Sequence, residues 1–134
     1  MQLKLATDHA IRSIMYMTRK KDFCSVAEIA ENMVISPCYL YHTLASLKAA
    51  GLVEVERGCN GGYRLKKEPS EITVLDVITT IEDTIKINRC LETDQFCTRD
   101  AVKTCAMHAV YEQLQDVIEN TFRGVTFADL CDRQ

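Results

Sequence analysis

No run of apolar residues in this sequence approaches the roughly 18 needed to cross a bilayer, which excludes a spanning helix. Met1 to Ala10 is mixed in polarity and lacks the charged start and apolar stretch of a secretory leader. The reading therefore expects a cytoplasmic chain with no membrane partner. There is neither an internal repeat nor a low-complexity segment, so solenoids and disordered tails are set aside. Missing too are a Cys-x-x-Cys pair, a Gly-x-Ser-x-Gly nucleophile elbow and a phosphate-binding glycine loop, and nothing points to an enzyme. An overall excess of positive charge is also lacking: the net charge is −3, which taken alone argues against a nucleic-acid partner.

The distribution of that charge reverses the argument. Residues 1–67 carry ten Lys and Arg against six Asp and Glu, a balance of +4, whereas residues 68–134 carry six against thirteen, a balance of −7. A half able to neutralise phosphates is joined to an acidic half with another task. At 134 residues the whole chain suffices for about one domain's core. The seven cysteines, in a reducing compartment, point to metal or redox chemistry rather than disulfides. Seven is also odd, so the thiols cannot all pair within one chain.

Apolar spacing predicts a first helix from about Thr7 to Arg19 and a second opening at Ser25, with Glu28 placed for a reciprocal capping box. Ser36-Pro37 opens a third, because Ser suits the cap and Pro the first turn, and Gly51 closes it. Helix, short turn and helix of these lengths form a helix-turn-helix. Residues 52–57 then alternate as a strand, and Asn60-Gly61 marks a hairpin returning through Tyr63-Arg64-Leu65: a wing. Thr73 with Asp76 opens another helix through Ile81, residues 84–100 read as loop, and apolar positions from Val102 to Phe122 give the longest helix. So long a stripe on so small a domain implies packing against a second copy. A short helical turn closes the chain near Cys131. The fold class is mostly α with a small β wing. A winged helix-turn-helix DNA-binding region spans residues 1–67, and a helical dimerisation and cysteine-loop sensor region spans 68–134.

In such a fold the third helix enters the major groove of double-stranded DNA. Ser36, Cys38, Tyr39, Tyr41 and His42 are its candidate readers, and none is the bidentate Arg or Asn that would forecast a base. Arg57 and Arg64 flank the wing, whose glycines, Gly61 among them, let the backbone approach the minor groove. Lys48, Lys4 and Arg12 are candidate phosphate contacts.

Cys90, Cys97 and Cys105 stand six and seven residues apart at the polar loop, and His108 follows by three positions on the expected helix. Thiolates at this spacing suit an iron–sulfur cluster or zinc, and incidental thiols remain open on spacing alone. Cys24 and Cys131 read as small apolar fillers, with Cys38 and Cys59 near the DNA face.

The whole chain resembles the Rrf-type family of bacterial transcription regulators, whose members include IscR, NsrR and RirA. The motifs that carry the resemblance run in order. They are Met1-Gln2-Leu3-Lys4 and Thr7-Asp8-His9-Ala10-Ile11-Arg12, the wing Arg57-Gly58-Cys59-Asn60-Gly61-Gly62-Tyr63-Arg64-Leu65, Glu71-Ile72-Thr73-Val74-Leu75-Asp76-Val77-Ile78, the three cysteines, and Thr126-Phe127-Ala128-Asp129-Leu130. The resemblance implies a dimeric operator-binding regulator, expected to act as a repressor. Cys90, Cys97 and Cys105 would hold a two-iron or four-iron cluster that senses cluster status, iron, nitric oxide or redox state. It implies a fourth ligand as well, Asp8 donated across the dimer or, as the alternative, His108, with Asp8 favoured. Two departures are visible. The gap from Cys97 to Cys105 exceeds the family's usual spacing, and Cys59 stands where Arg or Pro is more common. The rival within the same class is a cluster-free regulator in which these thiols form a disulfide.

Overall fold

The structure is a computed structural model and describes residues 2–133. Helix α1 (Leu5–Lys20) is followed by α2 (Val26–Met33) and α3 (Pro37–Ala49), then by strands β1 (Val53–Glu56) and β2 (Gly62–Leu65). Helices α4 (Val74–Ile81), α5 (Ala106–Arg123) and α6 (Phe127–Asp132) complete the chain, with 3-10 turns at Pro69–Glu71, Arg89–Leu91 and Val102–Thr104. The two strands pair antiparallel with Val53 opposite Leu65 and Glu56 opposite Gly62. This is the expected mostly helical chain with a small β wing.

Ala10, Ile14 and Met17 of α1 form the axis of the core. Ile29, the Leu40-Leu44-Leu47 stripe of α3, Val77 and Ile78 of α4 and Phe127 of α6 close around them. Phe127 is wholly buried, and a side chain of that size contributes about 2–3 kcal/mol by leaving water. One cluster thus ties α1, α2 and α3 to the C-terminal half. Backbone bonds reinforce the tie: the Val74 amide donates to the Val125 carbonyl (2.9 Å) and the Phe127 amide to that of Ile72 (3.0 Å).

Local chemistry explains most helix starts. Ser25 accepts from the Glu28 amide, and Thr73/Asp76 and Thr126/Asp129 form full capping boxes. Four local expectations are corrected. Glu28 does not reach back to its cap, because its carboxylate is taken by the Tyr16 hydroxyl (2.7 Å) and Lys20 (3.0 Å). Ser36 makes no side-chain cap, leaving Pro37 alone to suit the start of α3. In the wing, positive φ falls on Gly58 and Gly62 rather than on Asn60-Gly61. A Cβ on Gly62 would lie 2.2 Å from the Cys24 carbonyl, because the wing's return strand bridges to Cys24 there. Finally, the long helix begins at Ala106 and not at Val102, since residues 102–104 tighten into a 3-10 turn. Cys105 is consequently the N-cap of α5, outside the helical face that carries His108.

Candidate nucleic-acid interface and candidate metal centre

Helix α3 buries Leu40, Thr43, Leu44 and Leu47 and turns the rest of its surface outward. Ser36, Cys38, Tyr39, Tyr41, His42 and Lys48 are all exposed. Two tyrosines on one short helix at 66% and 57% exposure are more apolar surface than a solvated face requires. The turn before α3 is set by Val34, which adopts a left-handed conformation (φ 56°). Arg12 holds this turn by donating to the Met33 carbonyl (2.9 Å) while it pairs with Asp8.

Around this helix the candidate phosphate contacts differ in their commitments. Lys4 is paired with Asp83 at 2.7 Å, and that hydrogen bond raises its pKa. Arg64 is held by Glu54 (2.6 Å) and lies over the Phe23 ring (4.2 Å). Lys48 and Arg57 have no ion-pair partner among the described residues and are free to meet a phosphate. A Cβ on Gly61 would strike the Glu56 carbonyl at 2.1 Å, so the wing's tip closes only with glycine there. Phe23, which props Arg64, left no signal in the sequence.

His9 is 7% exposed and lines a cavity of about 520 Å³ with Leu5, Tyr39, His42 and Ile81. Burial, aided by the Arg12 charge, lowers its pKa.

The second site lies at the other end of the chain. Cys90 sits in the Arg89–Leu91 turn, Cys97 in the following loop, Cys105 at the cap of α5 and His108 in its first turns. All four line one pocket of about 300 Å³, together with Phe96, Val102 and Tyr111. The Cys90 Sγ and His108 Nδ1 are 3.2 Å apart, and His108 Nε2 faces Glu112 Oε1 at 3.4 Å. Amides of Ala101 and Arg99 donate to the Cys97 sulfur and lower its pKa, favouring thiolate. Arg89 shapes the loop through a two-pronged pair with Asp94 (2.6 and 2.5 Å) and a position over the Phe96 ring. All seven cysteines are free thiols. Among the described residues, no three His, Cys, Asp or Glu side chains converge tightly enough to grip an ion. Asp8 is not in this pocket: it is exposed on α1, in its pair with Arg12.

Helix α5 is mostly outside the core. Met107, Val110, Leu114 and Val117 recur at spacings of three and four, and all are roughly half exposed or more. Its two buried side chains are polar, His108 and Gln115. Gln115 carries a role that the sequence reading missed. Its only trace is a polar side chain two turns beyond His108 on the same face.

The sequence model of the Rrf2 family, described as "Iron-dependent Transcriptional regulator", matches residues 3–133. Protein aau3 of Rhizobium meliloti (strain 1021) is 34% identical over 132 residues, which cover 97% of this chain and 84% of that protein. Among solved structures, T. potens IscR superposes with a TM-score of 0.79 at 26% identity, covering 99% of this chain and 88% of its own. CymR (YrzC), the global cysteine regulator of B. subtilis, superposes at 0.77 over 100% of this chain and 98% of its own. At 24% identity, that second likeness is one of fold. No helix of the described residues is long and apolar enough to cross a membrane. The chain belongs to the Rrf2 family of iron-dependent transcriptional regulators, DNA-binding proteins and not enzymes.

Proposed function

We propose that this protein is a cytoplasmic, homodimeric repressor that senses iron–sulfur cluster, iron, nitric oxide or redox state through a centre held by Cys90, Cys97 and Cys105. The observation that carries this reading is the pocket: three thiols from three separate segments and one imidazole line the same small space. The donor set fits the group. Sulfur and imidazole are the ligands that iron–sulfur clusters and zinc prefer, and one of the thiols already leans toward thiolate. For the fourth position the geometry within one protomer favours His108, whose Nδ1 faces the Cys90 sulfur. Asp8, held by Arg12, would have to reach the centre of a partner subunit. When bound, a cluster of two or four irons supplies redox and nitric-oxide reactivity that thiols alone lack.

The chain's own residues supply the rest. The half-exposed Met107-Val110-Leu114-Val117 stripe pairs with its copy in the dimer, since the described residues of the same protomer leave about half of it uncovered. Ser36, Cys38, Tyr39, Tyr41 and His42 meet base edges, while Lys48, Arg57, Arg64 and the backbone at Gly61 meet the DNA backbone. Two such heads, spaced by the paired α5 helices, suit an inverted repeat.

The test is anaerobic purification with iron, sulfide and zinc analysis, followed by operator binding with and without the centre. Iron and sulfide in the protein, and two distinct affinities, are expected. Zinc without sulfide would make the pocket a structural metal module. A metal-free protein that responds by forming a disulfide among the three thiols would make it a thiol switch.

A further inference from the structure

The segment between α4 and Cys90 is fastened at its start and in its middle by groups far away in sequence. At its start, the half-buried Glu82 carboxylate accepts from the Lys4 amide (2.7 Å) and from the buried Thr7 hydroxyl (2.5 Å). Asp83 pairs with the Lys4 ammonium beside it (2.7 Å). Lys4 is the N-cap residue of α1 and has no side-chain cap of its own, and Glu82 takes its amide and a first-turn hydroxyl from another element, with a carboxylate near the helix N-terminus. At its end, the segment leads into the turn that holds Cys90.

Its middle is gripped by Gln115, which is 4% exposed on a mostly exposed helix. The Ile87 amide donates to Gln115 Oε1 (2.9 Å), and Gln115 Nε2 donates to the Ile85 carbonyl (3.1 Å). The carboxamide thus pairs with the segment's backbone as a neighbouring strand would. Its remaining N–H meets Glu119 (2.9 Å), which also takes Lys86 (2.7 Å). These pairings hold Glu119 below the ordinary carboxylate range.

Residues 82–90 therefore form a strap. One end is the thiol pocket, and the other is the first turn of α1, against which α3 packs. Gln115 fixes the strap to α5 two turns beyond His108. A shift at Cys90 or along the start of α5 is passed to Glu82 only if the strap moves with the helix, and Gln115, the buried one of its two fastenings to α5 beside the Lys86–Glu119 pair, holds the strap's backbone to it. Had the position been apolar, two backbone groups of the strap would lack these partners, and the strap could slide over α5.

We propose that Gln115 is the positioning residue that couples the cysteine pocket to the DNA-reading helices. This rests on the reading that the pocket holds the sensed centre. The test uses the full-length protein, prepared anaerobically as wild type, Gln115→Leu and Glu82→Ala, the second of which removes the oxygen that accepts from Lys4 and Thr7. Iron content, oligomeric state and the ratio of operator affinities with and without the centre are measured on each. Wild-type iron content, an intact dimer and a ratio reduced about tenfold toward unity are expected of both variants. A merely structural role would lower the melting temperature and leave the ratio alone, and that result overturns the proposal. Glu82→Ala, at the less buried end, decides the matter if Leu at 115 does not fold. A wild type whose two affinities are equal would instead sink the sensing reading itself, before either variant is consulted.

Discussion

Val34 is a β-branched residue in a left-handed conformation, and it stands 83% exposed at the turn between α2 and α3. Such a residue at φ near +56° costs on the order of 1 kcal/mol that glycine would not. Val34→Gly should raise the melting temperature by about 4 °C, and an unchanged or lower value in a thermal melt would show that the turn is unstrained. His9 offers a second residue-level test. Burial holds its imidazole below the ordinary value of 6.5, so the unfolded chain binds the proton first as the pH falls. Its stability contribution is therefore complete above about pH 6.5 and declines as the pH drops below that value. In melts at pH 7.5 and 5.5, His9→Phe should lose part of the destabilisation that wild type shows on acidification. Equal slopes for the two proteins would remove His9 as the source.

At the scale of elements, α5 is the part whose job is least explained by a single protomer. Its eighteen residues bury two polar side chains inward and leave an apolar stripe outside. Leu114→Glu should leave the helical circular dichroism signal unchanged and convert the dimer to monomer in sedimentation experiments. A dimer that survives the charge would place the interface elsewhere.

The elements also differ in how far they could be read in advance. The caps at Ser25 and Thr73 were legible because a hydroxyl and an amide three residues apart need no help from the rest of the fold. The stripe of α5 was legible for the same reason, as a periodicity within one helix. The position of Cys105 was not: whether residues 102–104 extend the helix or tighten into a 3-10 turn depends on the loop packed before them. Nor could spacing reveal that Cys90 lies 3.2 Å from His108, or that Glu82 serves a helix that begins some 78 residues earlier. Such contacts are set by how elements pack, and no local pattern encodes them.

For the whole molecule, the core's continuity is the property on which the proposed sensing would act. Ala10, Ile14, Leu40, Leu44, Val77, Ile78 and Phe127 belong to one cluster, so α1 and α3 are not a separately tethered head. Under the proposed coupling, a change at the thiol pocket would reach packed elements that cannot deform gradually, the setting in which a modest local shift becomes a change of state. The same continuity separates two functions in the cysteines. Cys24 is wholly buried, and that burial pushes its thiol up to about 11, which keeps it unreactive. Cys97, by contrast, is drawn toward thiolate by the amides around it.

The decisive measurement is operator affinity for wild type and Cys97→Ala, both handled without oxygen, with iron and sulfide determined on the same samples. Wild type should contain both elements and bind its operator with affinities that differ at least tenfold before and after the centre is stripped. Cys97→Ala should contain neither and show a single affinity. If Cys97→Ala carried the same iron and sulfide and kept the same two affinities, the centre would not be where these thiols place it.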